Sequence, residues 1–169
     1  AAFAIVSGVT VSATVAETLT LTIAGVTAND CDNDFGTLNG PASTAAAIAF
    51  GELSNTNTFY HACQDIYVAT NGSGGYALTG QETRELRDPV ANVNIADSTG
   101  DNGTMTQSAS DTWETATFNG FGYSCLNKTD GNCAMVNASS NRQFACVSSD
   151  TSECPSASET AVNVMATSS

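Results

Sequence analysis

A chain of 169 residues is long enough to bury one core, and no linker-like shift of composition interrupts it, so a single domain is expected. Seventeen acidic residues face four basic ones, Arg84, Arg87, Lys128 and Arg142, for a net charge of −13. A surface of that sign repels phosphate backbones and anionic lipid, which argues against nucleic acid or membrane surfaces as partners and leaves cations as candidates.

Only 12% of the residues are charged, so solubility falls to Ser, Thr, Asn and Gly, a balance that suits the outer faces of β-sheets better than helices. An all-β fold is the expectation. The leading Ala1-Ala2-Phe3-Ala4-Ile5-Val6 is far short of the roughly 20 apolar residues of a membrane span and lacks the basic flank of a signal peptide. It reads as a mature, cleaved end docked against protein, with no membrane insertion.

From Phe3 to Ile23 the odd positions carry Phe3, Ile5, Ser7, Val9, Val11, Ala13, Val15, Glu17, Leu19, Leu21 and Ile23, while even positions from Thr10 onward are mostly Thr and Ser. This two-residue period predicts extended strand, in two segments broken near Gly8 or near Ala16-Glu17, because the run is too long for one strand. Asp30-Cys31-Asp32-Asn33-Asp34 follows as a polar turn. Its Asp30, Asp32 and Asp34 alternate like the start of a calcium loop, the only cofactor suggested, but Phe35 stands where such a loop needs Gly and Pro41 where it needs its closing Glu.

Residues 44–50 are read as strand. Ala62 to Ala69 alternates, Asn71-Gly72-Ser73-Gly74-Gly75 supplies a turn, and Tyr76 to Thr79 is expected to return as a hairpin partner. Gln81 to Asp88 has helical character and stops at Pro89, with Glu82 and Glu85 expected to form a solvated cluster paired locally with Arg84 and Arg87. Asp97 to Asp111 reads as a polar loop. Trp113, Phe118, Phe121 and Tyr123 read as a core strand, and Ala161 to Ala166 as a closing one.

Six cysteines without a C-x-x-C pair indicate disulfides and an oxidising compartment in preference to zinc. Of the fifteen pairings, two are preferred: Cys31–Cys63 with Cys125–Cys133 and Cys146–Cys154, or Cys31–Cys63 with the last four nested as Cys125–Cys154 and Cys133–Cys146. Asn71, Asn102, Asn127 and Asn137 each open an N-glycosylation acceptor pattern in loop-like sequence. Catalysis finds little support. The one histidine, His61, lies beside Tyr60 and Cys63 with no nucleophile elbow, so the chain is expected not to be an enzyme.

Val9-Thr10-Val11-Ser12-Ala13-Thr14-Val15, then Phe35-Gly36-Thr37-Leu38 and the segments from Ile66 to Leu78, resemble secreted surface proteins of the spore coat protein U type. Fibre proteins of the TasA and camelysin type are a second similar group. Where the first group carries a cysteine just after the Val-rich segment, Thr18 and Leu19 stand here.

The resemblance implies an antiparallel, Ig-like or pilin-like β-sandwich, incomplete and closed by a strand from another subunit. Residues 1–13 would then be the donor segment, with Phe3, Ile5, Val9 and Val11 as its knobs, and residues 14–169 the sandwich domain. The partners implied are identical subunits in an open extracellular homopolymer, a pilus or biofilm-type fibre. The strand pattern alone does not say whether this segment pairs with its own domain or with a neighbour. The alternative from another class is a secreted carbohydrate-binding, adhesive or surface-layer module using Trp113, Tyr60, Tyr76 or Tyr123 as stacking platforms, if these do not simply fill the core.

Overall fold

The computed structural model describes residues 14–31, 40–55, 57–88, 90–117, 120–127, 132–133, 140–154 and 159–167. Among them there is no helix, and the all-β expectation holds. The leading segment 1–13, with Phe3, Ile5, Val9 and Val11, lies outside the described residues, as do Asp32, Asp34, Phe118 and Asn137.

Strand β1 (Leu19–Gly25) forms where Leu-Thr-Leu-Thr-Ile alternates without a breaker, and the chain enters it only past Ala16-Glu17. It pairs antiparallel along its whole length with β2 (Gln64–Thr70), from Leu19 opposite Thr70 to Gly25 opposite Gln64. Cys31 and Cys63, with Cα atoms 5.7 Å apart, close the end of this ribbon with a disulfide. Ser43 reinforces that end: its hydroxyl accepts the Val26 N–H and donates to the Cys63 carbonyl.

The turn after β2 follows its glycines. Gly75 has a φ of 70° and its N–H donates to the Gly72 carbonyl at 3.2 Å. The strands that flank it, however, are not partners, which corrects the expected hairpin. Strand β3 (Tyr76–Glu82) belongs to a different sheet, whose order is β6-β3-β7. There β7 (Val162–Thr167) runs antiparallel to β3, with a bulge between Leu78 and Thr79, and β6 (Ala145–Cys146) pairs parallel to its last two residues. β1 pairs with one edge of β2, and the five-residue connection 71–75 carries the chain across to the second sheet instead of folding it back on the other edge.

Three further expectations give way to turn chemistry. Residues 81–88 are not helical: Gln81 and Glu82 finish β3, and Leu86–Asp88 form β4, antiparallel to β5 (Val93–Ile95). The Asp88 carboxylate accepts the N–H groups of Val90 and Ala91, and Asn92 at a φ of 56° completes the reversal. Residues 44–50 make a tight turn, because the Thr44 hydroxyl accepts the Ala46 and Ala47 N–H groups and Ser43 bridges to Ile48. The aromatic stretch is irregular over its described residues 113–117 and 120–123, touching other segments through single bridges at Phe121 and Tyr123. The closing strand, β7, stands where its alternation placed it.

Sulfur dominates the small core. Among the described residues the buried apolar side chains are Cys31, Met105, Ala145, Cys146 and Cys154. Cys125 pairs with Cys133 and Cys146 with Cys154, the first of the two preferred arrangements.

The polar loop 97–111 is packed rather than loose: Ser98 and Met105 are 0% and 2% exposed. Its centre is Asp111, whose carboxylate accepts the side-chain amide of Asn102 at 2.7 Å and the N–H groups of Asn102, Thr104 and Thr112. Gly100, at a φ of 74°, passes so close that an added Cβ would lie 2.8 Å from Asp111 side-chain atoms. The Asn102 side chain and these amides hold the Asp111 carboxyl down at about 2.

Its contribution to stability is therefore present above its ordinary value of 3.8 and is lost as pH falls through about 2. Replacing Asp111 with Ala orphans these donors together and is expected to lower the melting temperature measurably at pH 7. Calorimetry showing D111A melting with the wild type would contradict this role.

Candidate functional site

In the β1–β2 ribbon, side chains directly across from one another share a face. Leu19, Leu21 and Ile23 therefore stand beside Thr70, Val68 and Ile66, while Thr20 and Thr22 point the other way. Most of this apolar face is exposed: Leu19 is 65% exposed, Leu21 50%, and Ile23 and Ile66 38% each. Buried apolar surface is the main source of folding energy, so a contiguous exposed strip of this kind marks a contact surface.

Leu21, Ile23, Ile66 and Val68 of the strip form one wall of a cleft of about 810 Å³ whose other side is lined by Leu78 of β3 and by Val164 and Met165 of β7. Tyr123 and Phe144, stacked at 4.3 Å between centroids, line it as well. Main-chain groups are also on offer. Among the described residues the outer edges of β1 and β2 carry no further strand, and β3 pairs with β6 only through Gln81 and Glu82. Among the described residues Tyr76 to Gly80 therefore carry no strand on that side. The cleft thus combines apolar pockets with open backbone edges, which is what an added β-strand requires.

Comparison with protein-family models, with curated proteins and with solved structures finds no match. What the cleft does must therefore be argued from its own geometry.

The base of the leading segment is fixed beside the ribbon. The Asn71 side chain accepts the Thr18 N–H at 2.6 Å and donates to the Ala16 carbonyl at 3.1 Å, and the Thr70 hydroxyl donates to the Thr18 carbonyl at 2.9 Å. Residues 16–18 are thereby clamped to the turn after β2. This gives Asn71 a structural task besides its acceptor pattern. Asn102 is likewise engaged, in the Asp111 cluster, whereas the exposed Asn127 uses its side-chain oxygen to accept the Cys133 N–H.

The remaining candidates fall elsewhere. Asp30 caps its own turn, its carboxylate accepting the Thr27 hydroxyl at 2.9 Å. Among the described residues no group of three or more His, Cys, Asp and Glu side chains is placed to hold a metal ion. His61 lies half-buried with its ring 5.5 Å from Phe59, and desolvation lowers its pKa. Among the described residues no helix is long and apolar enough to cross a membrane, and the three disulfides fit an oxidising compartment.

The carboxylates of 82–85 depart from expectation. Glu85 is 5% exposed, and Arg84 reaches Glu153, at 3.2 Å, instead of pairing within the cluster. Glu82 Oε1 and Asp97 Oδ1 are buried without a hydrogen-bond partner. Desolvation first, and then repulsion from Asp97, Glu85 and Glu159, raises Glu82 to about 8. Desolvation, with repulsion from Glu85 and Glu159, raises Asp97 to about 7. The sequence did contain a signal for Glu82: it shares the parity of Tyr76, Leu78 and Gly80, the inward positions of β3.

Proposed function

We propose that this protein is the repeating subunit of an extracellular filament, in which residues 1–13 of one copy enter the cleft of the next and complete an unfinished β-sandwich. The observation that carries this reading is the exposed face of Leu21, Ile23 and Ile66, which lines the cleft opposite β3 and β7.

Size and chemistry agree. From Phe3 to Val11 an extended chain spans about 26 Å, against about 20 Å from end to end of a seven-residue strand such as β1. Phe3, Ile5, Val9 and Val11 are alternate knobs, and burying four such side chains supplies on the order of 10 kcal/mol before the cost of ordering the tail. The donor and the acceptor are different surfaces, so the contact is heterologous and grows into an open filament wherever its rotation does not close. The clamp on residues 16–18 gives the tail a defined point of departure, and the disulfides suit an oxidising exterior.

The test compares the full chain with a chain lacking residues 1–13 and with Leu21→Asp, by negative-stain microscopy and light scattering. Filaments are expected from the full chain alone, and a peptide of residues 1–13 should bind the truncated protein. Filaments of ordinary appearance from the truncated chain would overturn the donor role. A full chain that stays monomeric while the truncated one unfolds would show that the segment pairs within its own domain.

A further inference from the structure

A second hollow adjoins the first and has a different character. It measures about 1020 Å³ and is walled by Phe50, Phe59, Tyr60, Trp113, Phe121 and Phe144. None of these rings is fully buried. Phe59 holds the Trp113 indole edge to face at 5.3 Å, which fixes its orientation, and Phe121 stacks on Phe144 at 5.6 Å. Asn55, Thr58, Gln64 and Glu114 line the same hollow, with Gln64 donating its amide to the Thr44 carbonyl at 2.6 Å, beside aliphatic residues such as Leu53, Leu86 and Ile95.

We infer that this aromatic hollow is a binding site for a neutral oligosaccharide. Sugar rings present C–H faces that stack on aromatic planes and hydroxyls at their rims that exchange hydrogen bonds with amide, hydroxyl and carboxylate groups. An apolar peptide segment fits worse, because it would bury Asn55, Thr58 and Glu114 against groups that cannot bond them. An anionic ligand meets Glu114 on the wall and a chain of net charge −13. The volume sits at the upper end of ordinary ligand pockets, so more than one sugar ring is accommodated. The two hollows share a wall that includes Cys31, Cys63, Gln64, Tyr123 and Phe144, but Leu21, Leu78 and Val164 line the first only, so a change at Leu21 leaves the rings of the second in place.

Trp113 is the only tryptophan, so its emission reports occupancy without a label. The purified full chain is titrated with β-1,4-glucose, β-1,4-N-acetylglucosamine and α-1,4-glucose hexaoses, with an oligogalacturonate as the anionic control. At least one neutral series is expected to shift the emission saturably with a Kd between about 10 μM and 1 mM, and the anionic oligomer to give no shift. Tyr60→Ala and Asn55→Ala are expected to weaken binding at least about tenfold. Saturation-transfer NMR on the wild-type chain is the readout that needs no variant.

Leu21→Asp should abolish filaments and leave sugar binding intact, which separates failure of this site from failure of the assembly reading. The inference is overturned by the absence of both an emission change and saturation transfer up to about 10 mM of every neutral hexaose. A saturable shift that a folded Tyr60→Ala variant leaves unchanged overturns it equally.

Discussion

Reduction of the three disulfides is expected to unfold this protein at neutral pH, with the Cys31–Cys63 bridge making the largest single contribution. The half-cystines Cys31, Cys146 and Cys154 are three of the five buried apolar side chains among the described residues, so removing the bridges also removes much of the core. By loop-closure entropy, the bridge across a separation of 32 residues restrains the unfolded chain by about 3.5 kcal/mol. Each bridge across a separation of 8 contributes about 2.5 kcal/mol. The sum, roughly 8 to 9 kcal/mol, equals the whole stability of an ordinary domain.

Position strengthens the case for Cys31–Cys63. It closes the end of a two-stranded ribbon, a structure that is at best marginal alone in water, and that ribbon is one wall of the proposed assembly cleft. The double variant Cys31→Ser/Cys63→Ser should therefore lose both stability and assembly, whereas Cys125→Ser/Cys133→Ser should lose less of each. Urea midpoints with and without a reductant measure the first effect and microscopy the second. A reduced chain with an unchanged midpoint would show that the apolar contacts suffice without the bridges.

Local alternation made some elements readable in the sequence and hid others. The strands β1 and β7 were legible because each puts apolar side chains on one parity with no breaker inside. The turn at residues 71–75 was legible too, yet which strands it joins was not: a turn of that length serves a hairpin or a crossing between sheets equally well, and β3 takes its partner from β7, far along the chain. Residues 81–88 misled because interleaved Glu and Arg suit a helix surface, while Asp88 and Asn92 supply turn geometry that wins locally. The loop of Ser98, Met105 and Asp111 carries no periodicity at all, since its order comes from side chain to backbone bonds. Of the cleft, the apolar strip was visible as Leu19, Leu21 and Ile23; that it lies exposed is a property of packing.

Stability is expected to fall as pH rises from about 5 to 8, the reverse of the trend in proteins held by ion pairs. Glu82, ordinarily near 4.5, sits at about 8 in the folded chain, and Asp97, ordinarily near 3.8, at about 7. Both folded values are raised, so between the ordinary and the folded values the folded state holds more protons than the unfolded one and loses stability as protons leave. Desolvation is the main cause, followed by like charge from Glu85 and Glu159, and the nearby Arg84 is committed to Glu153. The group sits where β3 meets β6: the Val147 N–H donates to the Glu82 carbonyl, and the Cys146 N–H donates to the Glu159 carboxylate. Repulsion there strains the junction that carries the Cys146–Cys154 bridge.

Opposing effects appear on the acid side. Asp88, Asp111 and Asp150 are depressed and lose their contribution as pH falls below their ordinary 3.8, and His61, kept neutral by burial, favours unfolding below its ordinary 6.5. The optimum should accordingly lie near pH 5. Because Glu82 and Asp97 are only about half-buried, water and salt screen the effect, and about 1–2 kcal/mol is expected from Glu82. That corresponds to a few degrees in melting temperature for a chain of this size. Glu82→Gln should raise the urea midpoint at pH 8 while leaving it nearly unchanged at pH 5, and added salt should narrow the difference. A wild-type midpoint that is flat or rising from pH 5 to 8 would mean that these carboxylates reach water or a counter-charge once the chain is in solution.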